Sequence, residues 1–484
     1  MSRRYLLIAS FLSLLSAPIS TSLAAQEVLP LSVESLLKKA NLPKSALSLI
    51  IMPSHHGDPI LRQQADKSVL PASTLKLVTS FIALDELGPN FRWKTQILSD
   101  APIKQNTING KLYLKGGGDP NFTWDKLSLL LRNLRQQGLR DLQGDIVLDR
   151  SYFQPTRPEL KAPVFDENPD AYYNVIPDAL LIHSNVSAFS LQADGNMIEP
   201  KLLTPLDGVV FKNQLSRSNA VCNDWKNTWI PPQSKINPQG EIEITLAGAF
   251  PKNCQTTLYL NIVERNAYIA SLIRALWKEL GGTWQGQVQD GVTPSGALLL
   301  AQRESESLVE TIRIINKFSD NAMARLLFLT LGAESILAKN FTDTSQTANA
   351  VIRAWLSKNN IADLGLSIEN GSGLSRTDRI SPNQLASILK VAANSYWYPE
   401  FAASLPIVGV DGSMRSRLKS SAAEARARIK TGTLKNVVAV AGYVRDQQQN
   451  EWIIVAIMNS DEAGISRARP ILDELINWVA NGRH

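Results

Sequence analysis

A serine and a lysine three positions apart, Ser73 and Lys76, are the residues of this chain best suited to covalent chemistry. They open a run, up to Leu87, in which apolar residues recur at helical spacing before the helix-ending pair Gly88-Pro89. Residues three apart share a helix face, so the spacing predicts that the amine lies beside the hydroxyl, as a nucleophile and its base. In isolation, such a pair is more often a helix cap and a surface lysine.

Histidine, the usual base of a serine hydrolase, is scarce in this sequence. His55 and His56 lie in a predicted turn, His183 lies in a β-rich region, and His484 is the last residue. These positions suggest no histidine-based triad and, even with the two cysteines, no zinc site, so no cofactor is expected. If Ser73 is a nucleophile, we expect its base to be a lysine with a lowered pKa.

Two short motifs far along the chain change the interpretation of this pair. Ser319-Asp320-Asn321 opens a predicted helix, and Lys430-Thr431-Gly432-Thr433 leads into a predicted strand. Each is weak evidence alone, because a Ser or Asp before a helix is often only an N-cap and K-T-G is common in turns and strands. The ordered set S-x-x-K, S-D-N, K-T-G, however, is that of β-lactamases and penicillin-binding proteins.

The K-T-G segment can recognise a substrate that ends in a carboxylate. Lys430 would supply the positive charge, and the hydroxyls of Thr431 and Thr433 would add donors. Gly432 would let an extended peptide approach the strand closely. The backbone N–H groups of Ser73 and Thr433 would form an oxyanion hole.

The S-D-N segment can handle protons and hold the base. Ser319 can pass a proton towards the leaving amine, while Asn321 can fix Lys76 or the substrate amide. Asp320, between them, is counted with the residues expected to contact substrate.

The elements that must position these residues fall into two regions with different sequence patterns. Residues 26–94 and 266–484 combine helical periodicity with two neighbouring terminal strands, 437–445 and 451–459, and a closing helix over 471–479. Residues 95–265 contain short β-like runs between Gly, Pro and Asn turns, interrupted by one helical stretch at 124–137. We expect a mainly-β region there, with two subdomains.

Composition and termini indicate an exported globular protein. Of 484 residues, 44% are apolar and 19% are charged, and residues 1–25 have the basic start, apolar run and small residues of a secretory signal peptide. No later stretch is apolar enough for a transmembrane segment. The net charge of +6 is too mild for nucleic-acid binding but would suit peripheral contact with an anionic membrane or wall. Cys222 and Cys254 are expected to form a disulfide.

On these motifs the chain resembles the low-molecular-mass class C penicillin-binding proteins, the D-alanyl-D-alanine carboxypeptidase/endopeptidase family. Three further segments carry the resemblance: 114–120 (LKGGGDP), 370–376 (NGSGLSR) and 405–413 (LPIVGVDGS). The family implies an α/β (α+β) fold, in which a β-lactamase/transpeptidase-like domain has an antiparallel sheet flanked by helices. That domain would comprise residues 26–94 and 266–484, with the mainly-β region 95–265 inserted.

The resemblance also implies an activity. A serine DD-peptidase would act on peptidoglycan stem peptides and cross-links through an acyl-enzyme on Ser73, facing the periplasm or cell envelope, with β-lactam antibiotics as covalent inhibitors. One alternative is a β-lactamase, but the long insertion argues against it. Another is a non-catalytic wall-binding scaffold, but the three intact motifs argue against it. The balance between carboxypeptidase and endopeptidase action stays open.

The family finally implies a pocket for a diaminopimelate side chain. Arg376 matches a family residue of that pocket, and Tyr173 matches an aromatic residue that lines it. An acidic partner is expected a few residues before the tyrosine. The spacing places Asn168 there, with Asp166 and Asp170 on either side, and Asp170 is the candidate we choose.

Overall fold

A computed structural model describes residues 28–194, 197–462 and 464–482; the predicted signal peptide lies outside them. The α-helices of these residues are α1 Leu31–Lys39, α2 Lys76–Leu87, α3 Trp124–Gln136, α4 Arg265–Glu279, α5 Leu308–Phe318, α6 Asn321–Ala333, α7 Thr344–Lys358, α8 Pro382–Ala393, α9 Tyr398–Ser404 and α10 Ile465–Ala480.

The strands of the first part of the chain are β1 Leu47–Pro53, β2 Leu61–Gln63, β3 Lys94–Ser99, β4 Thr107–Ile108, β5 Leu112–Lys115, β6 Asp141–Leu142, β7 Ile146–Asp149, β8 Ser187–Ala193, β9 Ile198–Leu202 and β10 Val209–Ser218. Those that follow are β11 Trp229–Ile236, β12 Ile242–Pro251, β13 Gln255–Leu260, β14 Thr283–Trp284, β15 Val288–Gly291, β16 Leu298–Glu304, β17 Ala427–Leu434, β18 Val437–Arg445 and β19 Glu451–Asn459.

A five-stranded antiparallel sheet, ordered β17-β18-β19-β1-β2, joins the two ends of the chain. Its central strands are apolar on both faces: in β18, Val437 and Ala439 belong to one core, whereas Val438 and Val440 belong to another. Side chains alternate between the faces of a strand, so a continuous apolar run is what a sheet covered on both sides requires.

Helices cover both faces of this sheet. Residues of α2, α5, α6, α7, α8 and α9 form the larger core on one face, and residues of α1 and α10 form the core on the other. Helix α2 is buried along nearly its whole length, from Lys76 to Leu84. A helix buried on all sides is fixed by its neighbours in both position and rotation, and Lys76 is thereby held in place.

The inserted unit has its own core, drawn from residues between Ile97 and Ala301. Its largest sheet is ordered β15-β7-β5-β3-β16, and smaller sheets are ordered β14-β6-β4, β13-β8-β9 and β10-β12-β11. Helices α3 and α4 pack into the same core. Strands β14 to β16 pair with strands from the beginning of the unit. We therefore propose limits of 94 and 304 for it, in place of 95 and 265.

Three local features of the structure can be compared with the predictions from the sequence. Cys222 and Cys254 form the predicted disulfide. The last helix begins at Ile465, six residues before its predicted start, and it includes Pro470. The proline removes one backbone hydrogen bond, a loss that a helix packed on the sheet tolerates. None of the helices in the described part of the chain has the length and apolarity needed to cross a membrane.

A cluster of buried ion pairs attaches the loop that contains Asp178 to the rest of the inserted unit. The Asp178 carboxylate lies 2.8 Å from the Arg150 guanidinium and 2.7 Å from that of Arg265, and all three side chains are at most 5% exposed. Arg265 also donates to the carbonyl of Ile176 at 2.7 Å. These contacts anchor the chain immediately after Tyr173.

Replacing Asp178 by alanine would leave two arginine charges buried without their shared carboxylate. We expect Asp178→Ala to lower the free energy of unfolding by about 3–5 kcal/mol, measured by urea denaturation. Asp207→Ala is the matched control, because Asp207 faces Lys278 at 3.8 Å on the surface, and its effect should stay below about 1 kcal/mol. Equal losses in the two variants would contradict this role of Asp178.

Candidate active site

Ser73 lies in a tight turn rather than in the α-helix predicted for it. Residues Ala72–Leu75 form one 3₁₀ turn, and α2 begins at Lys76. The 3₁₀ turn has three residues per turn, so positions three apart lie directly above one another. Ala72 has a left-handed backbone, with φ of 48°, which places local strain beside the half-buried Ser73.

The Lys76 amine is fully buried and contacts three oxygen atoms. Its Nζ lies 3.0 Å from Ser73 Oγ, 2.6 Å from Asn321 Oδ1 and 2.6 Å from the carbonyl oxygen of Ser372. Burial, together with the positive charge of Lys430, holds the pKa of Lys76 well below its ordinary value. A lowered pKa increases the neutral fraction of the amine, and a neutral amine adjacent to a hydroxyl can accept the proton of that hydroxyl.

The Ser372 carbonyl is a contact that the sequence analysis did not foresee. Asn370 Oδ1 accepts hydrogen bonds from the backbone N–H and the hydroxyl of Ser372, at 3.1 and 2.6 Å. Thr79, on α2, donates to the carbonyl of Gly371 at 2.7 Å. Together they fix the turn that aims the carbonyl at Lys76. A backbone acceptor has no side-chain signature, so only the folded chain reveals it.

The S-D-N segment is a sharp junction between two helices. Helix α5 ends at Phe318, Ser319 is left-handed with φ of 60°, and α6 begins at Asn321. Asp320 caps α6, since its carboxylate accepts the N–H of Met323 at 2.8 Å. The junction places Ser319 and Asn321 towards different lysines, whereas the predicted substrate contact of Asp320 stays a prediction.

The K-T-G segment forms the opposite wall on β17, an edge strand. Lys430 Nζ donates to Ser319 Oγ and to the carbonyl of Thr431, both at 2.8 Å, and burial lowers the pKa of Lys430 to about 7. A Cβ at Gly432 would lie 2.8 Å from the carbonyl oxygen of Pro71 and 3.1 Å from the backbone nitrogen of Ser73. Glycine is therefore required for the strand to approach the serine turn.

Two of the predicted pocket residues, Tyr173 and Arg376, contact the adjacent residues Asp166 and Phe165. The Tyr173 carbonyl accepts a hydrogen bond from Asn321 Nδ2 at 3.1 Å, and its hydroxyl donates to Asp166 Oδ2 at 3.0 Å. Arg376 stacks over the ring of Phe165, 5.0 Å from its centre. By contrast, Asp170 makes a hydrogen bond through its backbone: its carbonyl accepts the N–H of Asn261 at 2.9 Å.

A cavity of about 870 Å³ opens beside these residues, and Phe165, Arg325, Glu369 and Arg376 are among those that line it. Arg325 is buried, and its guanidinium donates to the carbonyl of Val175 at 3.1 Å. Burial lowers the pKa of Arg325 to about 10. The wall of the catalytic domain thus supports the segment that carries Tyr173.

A family model described as the D-Ala-D-Ala carboxypeptidase 3 (S13) family matches residues 29–481. The chain belongs to the S13 family. This S13 member is 25% identical over 460 residues to a D-alanyl-D-alanine carboxypeptidase of Actinomadura sp. strain R39, covering 89% of this chain and 81% of that one. It is 26% identical over 425 residues to the carboxypeptidase DacB of Haemophilus influenzae, covering 85% of each.

Among solved structures, penicillin-binding protein 4 of Haemophilus influenzae matches this S13 chain with a TM-score of 0.78 at 24% identity. The match covers 93% of this chain and 100% of that one. The same protein has also been solved in complex with a β-lactam, with a TM-score of 0.72. The predicted fold class is confirmed by this likeness, and the predicted serine-type carboxypeptidase class by the family.

The two buried lysines predict opposite effects of pH on the rate of acylation. The rate should rise as Lys76 loses its proton, at a pH well below the ordinary lysine pKa. It should fall as Lys430 loses its charge, near pH 7. The measurement is the second-order rate of acylation by benzylpenicillin across the neutral range.

Two variants separate these limbs. Lys430→Arg keeps a fixed positive charge and should lose the falling limb, whereas Lys419→Arg, at an exposed position, should keep the wild-type profile. A falling limb that persists in Lys430→Arg would assign it to another group.

Proposed function

We propose that the protein is an exported serine DD-peptidase of peptidoglycan. It hydrolyses the terminal D-Ala-D-Ala bond of stem peptides and the D-Ala-diaminopimelate bond of cross-links through an acyl-enzyme on Ser73. The observation that carries the proposal is the 3.0 Å contact between Ser73 Oγ and a buried Lys76 amine whose pKa is lowered. That pair supplies a nucleophile and a base without histidine.

In acylation, Ser73 Oγ attacks the carbonyl carbon of the penultimate D-Ala, and its proton passes to Lys76 Nζ. The oxyanion of the tetrahedral intermediate accepts hydrogen bonds from the backbone N–H groups of Ser73 and Thr433, a contribution of about 3–4 kcal/mol per donor. Ser319, held by Lys430, donates its proton to the leaving amine and regains one from Lys76, which becomes neutral again as the C–N bond breaks. D-Ala or the cross-linked diaminopimelate leaves.

In deacylation, a water molecule attacks the ester carbonyl while Lys76 accepts a proton from the water. Collapse of the second tetrahedral intermediate breaks the bond to Ser73 Oγ, which regains its proton from Lys76. Asn321 keeps the amine in place through both steps, since its Oδ1 lies 2.6 Å from Lys76 Nζ. A β-lactam acylates the same oxygen and is released slowly.

Recognition of the diaminopimelate side chain is assigned to Arg376, Tyr173 and an acidic residue. The 3.0 Å hydrogen bond from Tyr173 to Asp166 favours Asp166 over Asp170 as that acid. Asp166 also accepts from Asn174 Nδ2 at 2.7 Å and from the backbone N–H of Asn168 at 2.9 Å, so its carboxylate is oriented by three donors. A carboxylate and a guanidinium would together complement an amino acid that carries both charges.

Export is part of the proposal. The signal-like residues 1–25 lie outside the described structure, and the support comes from the disulfide between Cys222 and Cys254, a bond that persists in oxidising compartments.

Replacing Ser73 by alanine tests the nucleophile. The wild type should gain the mass of one benzylpenicillin, and Ser73→Ala should gain none. Release of D-Ala from a pentapeptide should fall by about four or more orders of magnitude. Ser68→Ala is the control, because its hydroxyl donates to the Gly365 carbonyl at 3.0 Å and takes part in none of the proposed steps. An undiminished adduct on Ser73→Ala would contradict the mechanism, and rapid release of hydrolysed penicillin by the wild type would indicate a β-lactamase.

The acidic residue of the side-chain pocket is tested with two isosteric variants. Asp166→Asn should lower kcat/KM about tenfold or more for a diaminopimelate-containing pentapeptide, because a charged partner is lost. Asp170→Asn should change it little. Products from monomeric and cross-linked muropeptides, identified by mass, also give the balance of carboxypeptidase and endopeptidase action. A larger loss in Asp170→Asn would reverse the assignment.

A further inference from the structure

Ser413 lies at the mouth of the site in a segment that none of the steps above uses. Its Oγ lies 2.8 Å from Thr431 Oγ1, on the K-T-G strand, and the threonine is the donor. Ser413 is exposed, whereas Thr431 is half-buried. Because a hydroxyl donates one proton and accepts at two lone pairs, Ser413 keeps its own proton to donate to a substrate.

The position of Ser413 is fixed by a neighbouring ion pair. The two carboxylate oxygens of Asp411 lie 2.8 and 2.6 Å from Lys317 Nζ. One of them also accepts the backbone N–H of Ile407 at 2.7 Å. The Lys317 side chain is only 6% exposed. A charge-assisted pair with so little solvent holds its geometry better than a surface pair does.

The backbone between Asp411 and Ser413 is packed closely against Lys317. Gly412 has φ of 55°, and a Cβ there would lie 2.8 Å from the Lys317 carbonyl oxygen. Lys317 stands two residues before Ser319, which Lys430 contacts. The contacts therefore form a closed ring that runs from the end of α5 through Asp411 and Ser413 to the K-T-G strand and back to Ser319.

The Lys430 amine is not well placed to bind the substrate carboxylate directly. It is fully buried and already donates to Ser319 Oγ and the Thr431 carbonyl. It can supply positive potential, but the donors that reach an incoming carboxylate must come from exposed hydroxyls. A carboxylate has about four lone-pair sites, so it can accept from Ser413 beside Thr433, whereas the Thr431 proton is already donated to Ser413.

We propose that Ser413 is a specificity-determining residue whose hydroxyl donates to the carboxylate next to the scissile bond. In this role, the Lys317–Asp411 pair is its positioning device. The inference rests on the proposed DD-peptidase function and extends it, because it assigns preference for a free carboxylate partly to a segment outside the three catalytic motifs. If Ser413 only tied its segment to β17, its loss would affect charged and uncharged substrates alike.

The test compares ligands that differ only in that carboxylate. They are a peptide ending in D-Ala-D-Ala and its C-terminal carboxamide for hydrolysis, and benzylpenicillin and its methyl ester for acylation. Ser413→Ala should lower kcat/KM about tenfold for the acids and leave the amide and ester nearly unchanged, because a hydrogen bond to a charged group is lost. Ser413→Thr keeps the hydroxyl and should restore the preference.

Two further variants complete the design. Asp411→Asn should also reduce the acid-over-ester preference, because it releases the segment that carries Ser413. Ser421→Ala, whose hydroxyl donates to the Leu418 carbonyl, should behave as the wild type. Equal losses on acid and ester, or no loss, in Ser413→Ala would overturn the role of Ser413 while leaving the DD-peptidase proposal intact. A wild type that reacts with neither ligand class would overturn both.

Discussion

The burial of one amine, that of Lys76, is the constraint on which the rest of the structure depends. A lysine without water is stable only where oxygen atoms replace its hydration, and here they come from three separate parts of the chain: Ser73, Asn321 and the Ser372 carbonyl. The burial of α2 on all sides, the sharp junction before α6 and the tight turn at 370–376 are all needed to deliver them. The same desolvation that makes the arrangement costly lowers the pKa of the amine and so makes it a base.

The second buried amine, that of Lys430, lies on the wall of the site opposite Lys76. Each lysine contacts a different serine, so the proton acceptor of Ser73 and the holder of Ser319 are separated, although both amines lie in one low-dielectric space. Edge strand β17 carries Lys430, and Gly432 lets it lie against the Ser73 turn. An extended peptide added to that edge would have its carbonyl presented to the serine by backbone hydrogen bonds alone.

The inserted unit is more than an appendage to this arrangement. Asn321, which holds Lys76, also donates to the backbone carbonyl of Tyr173. The chain after Tyr173 is tied to the inserted unit by the buried Asp178 cluster. The segment that carries Tyr173 is thus coupled on one side to Asn321 and on the other to a separate core. Through these contacts, the position of Asn321 depends on the inserted unit as well as on the catalytic domain.

Residue types at short, regular spacing were enough to predict the family, the helices with strong periodicity, the sheet-forming ends of the chain, the disulfide and the catalytic motifs. Which atoms meet depends on the tertiary fold. It supplied the Ser372 carbonyl, which has no side-chain signal, and it joined Asp166 rather than Asp170 to Tyr173, since the intervening turn, not the spacing, orients those carboxylates. It also revealed the pairing of β16 with β3, because strand pairing between residues about 200 positions apart leaves no local pattern in a sequence.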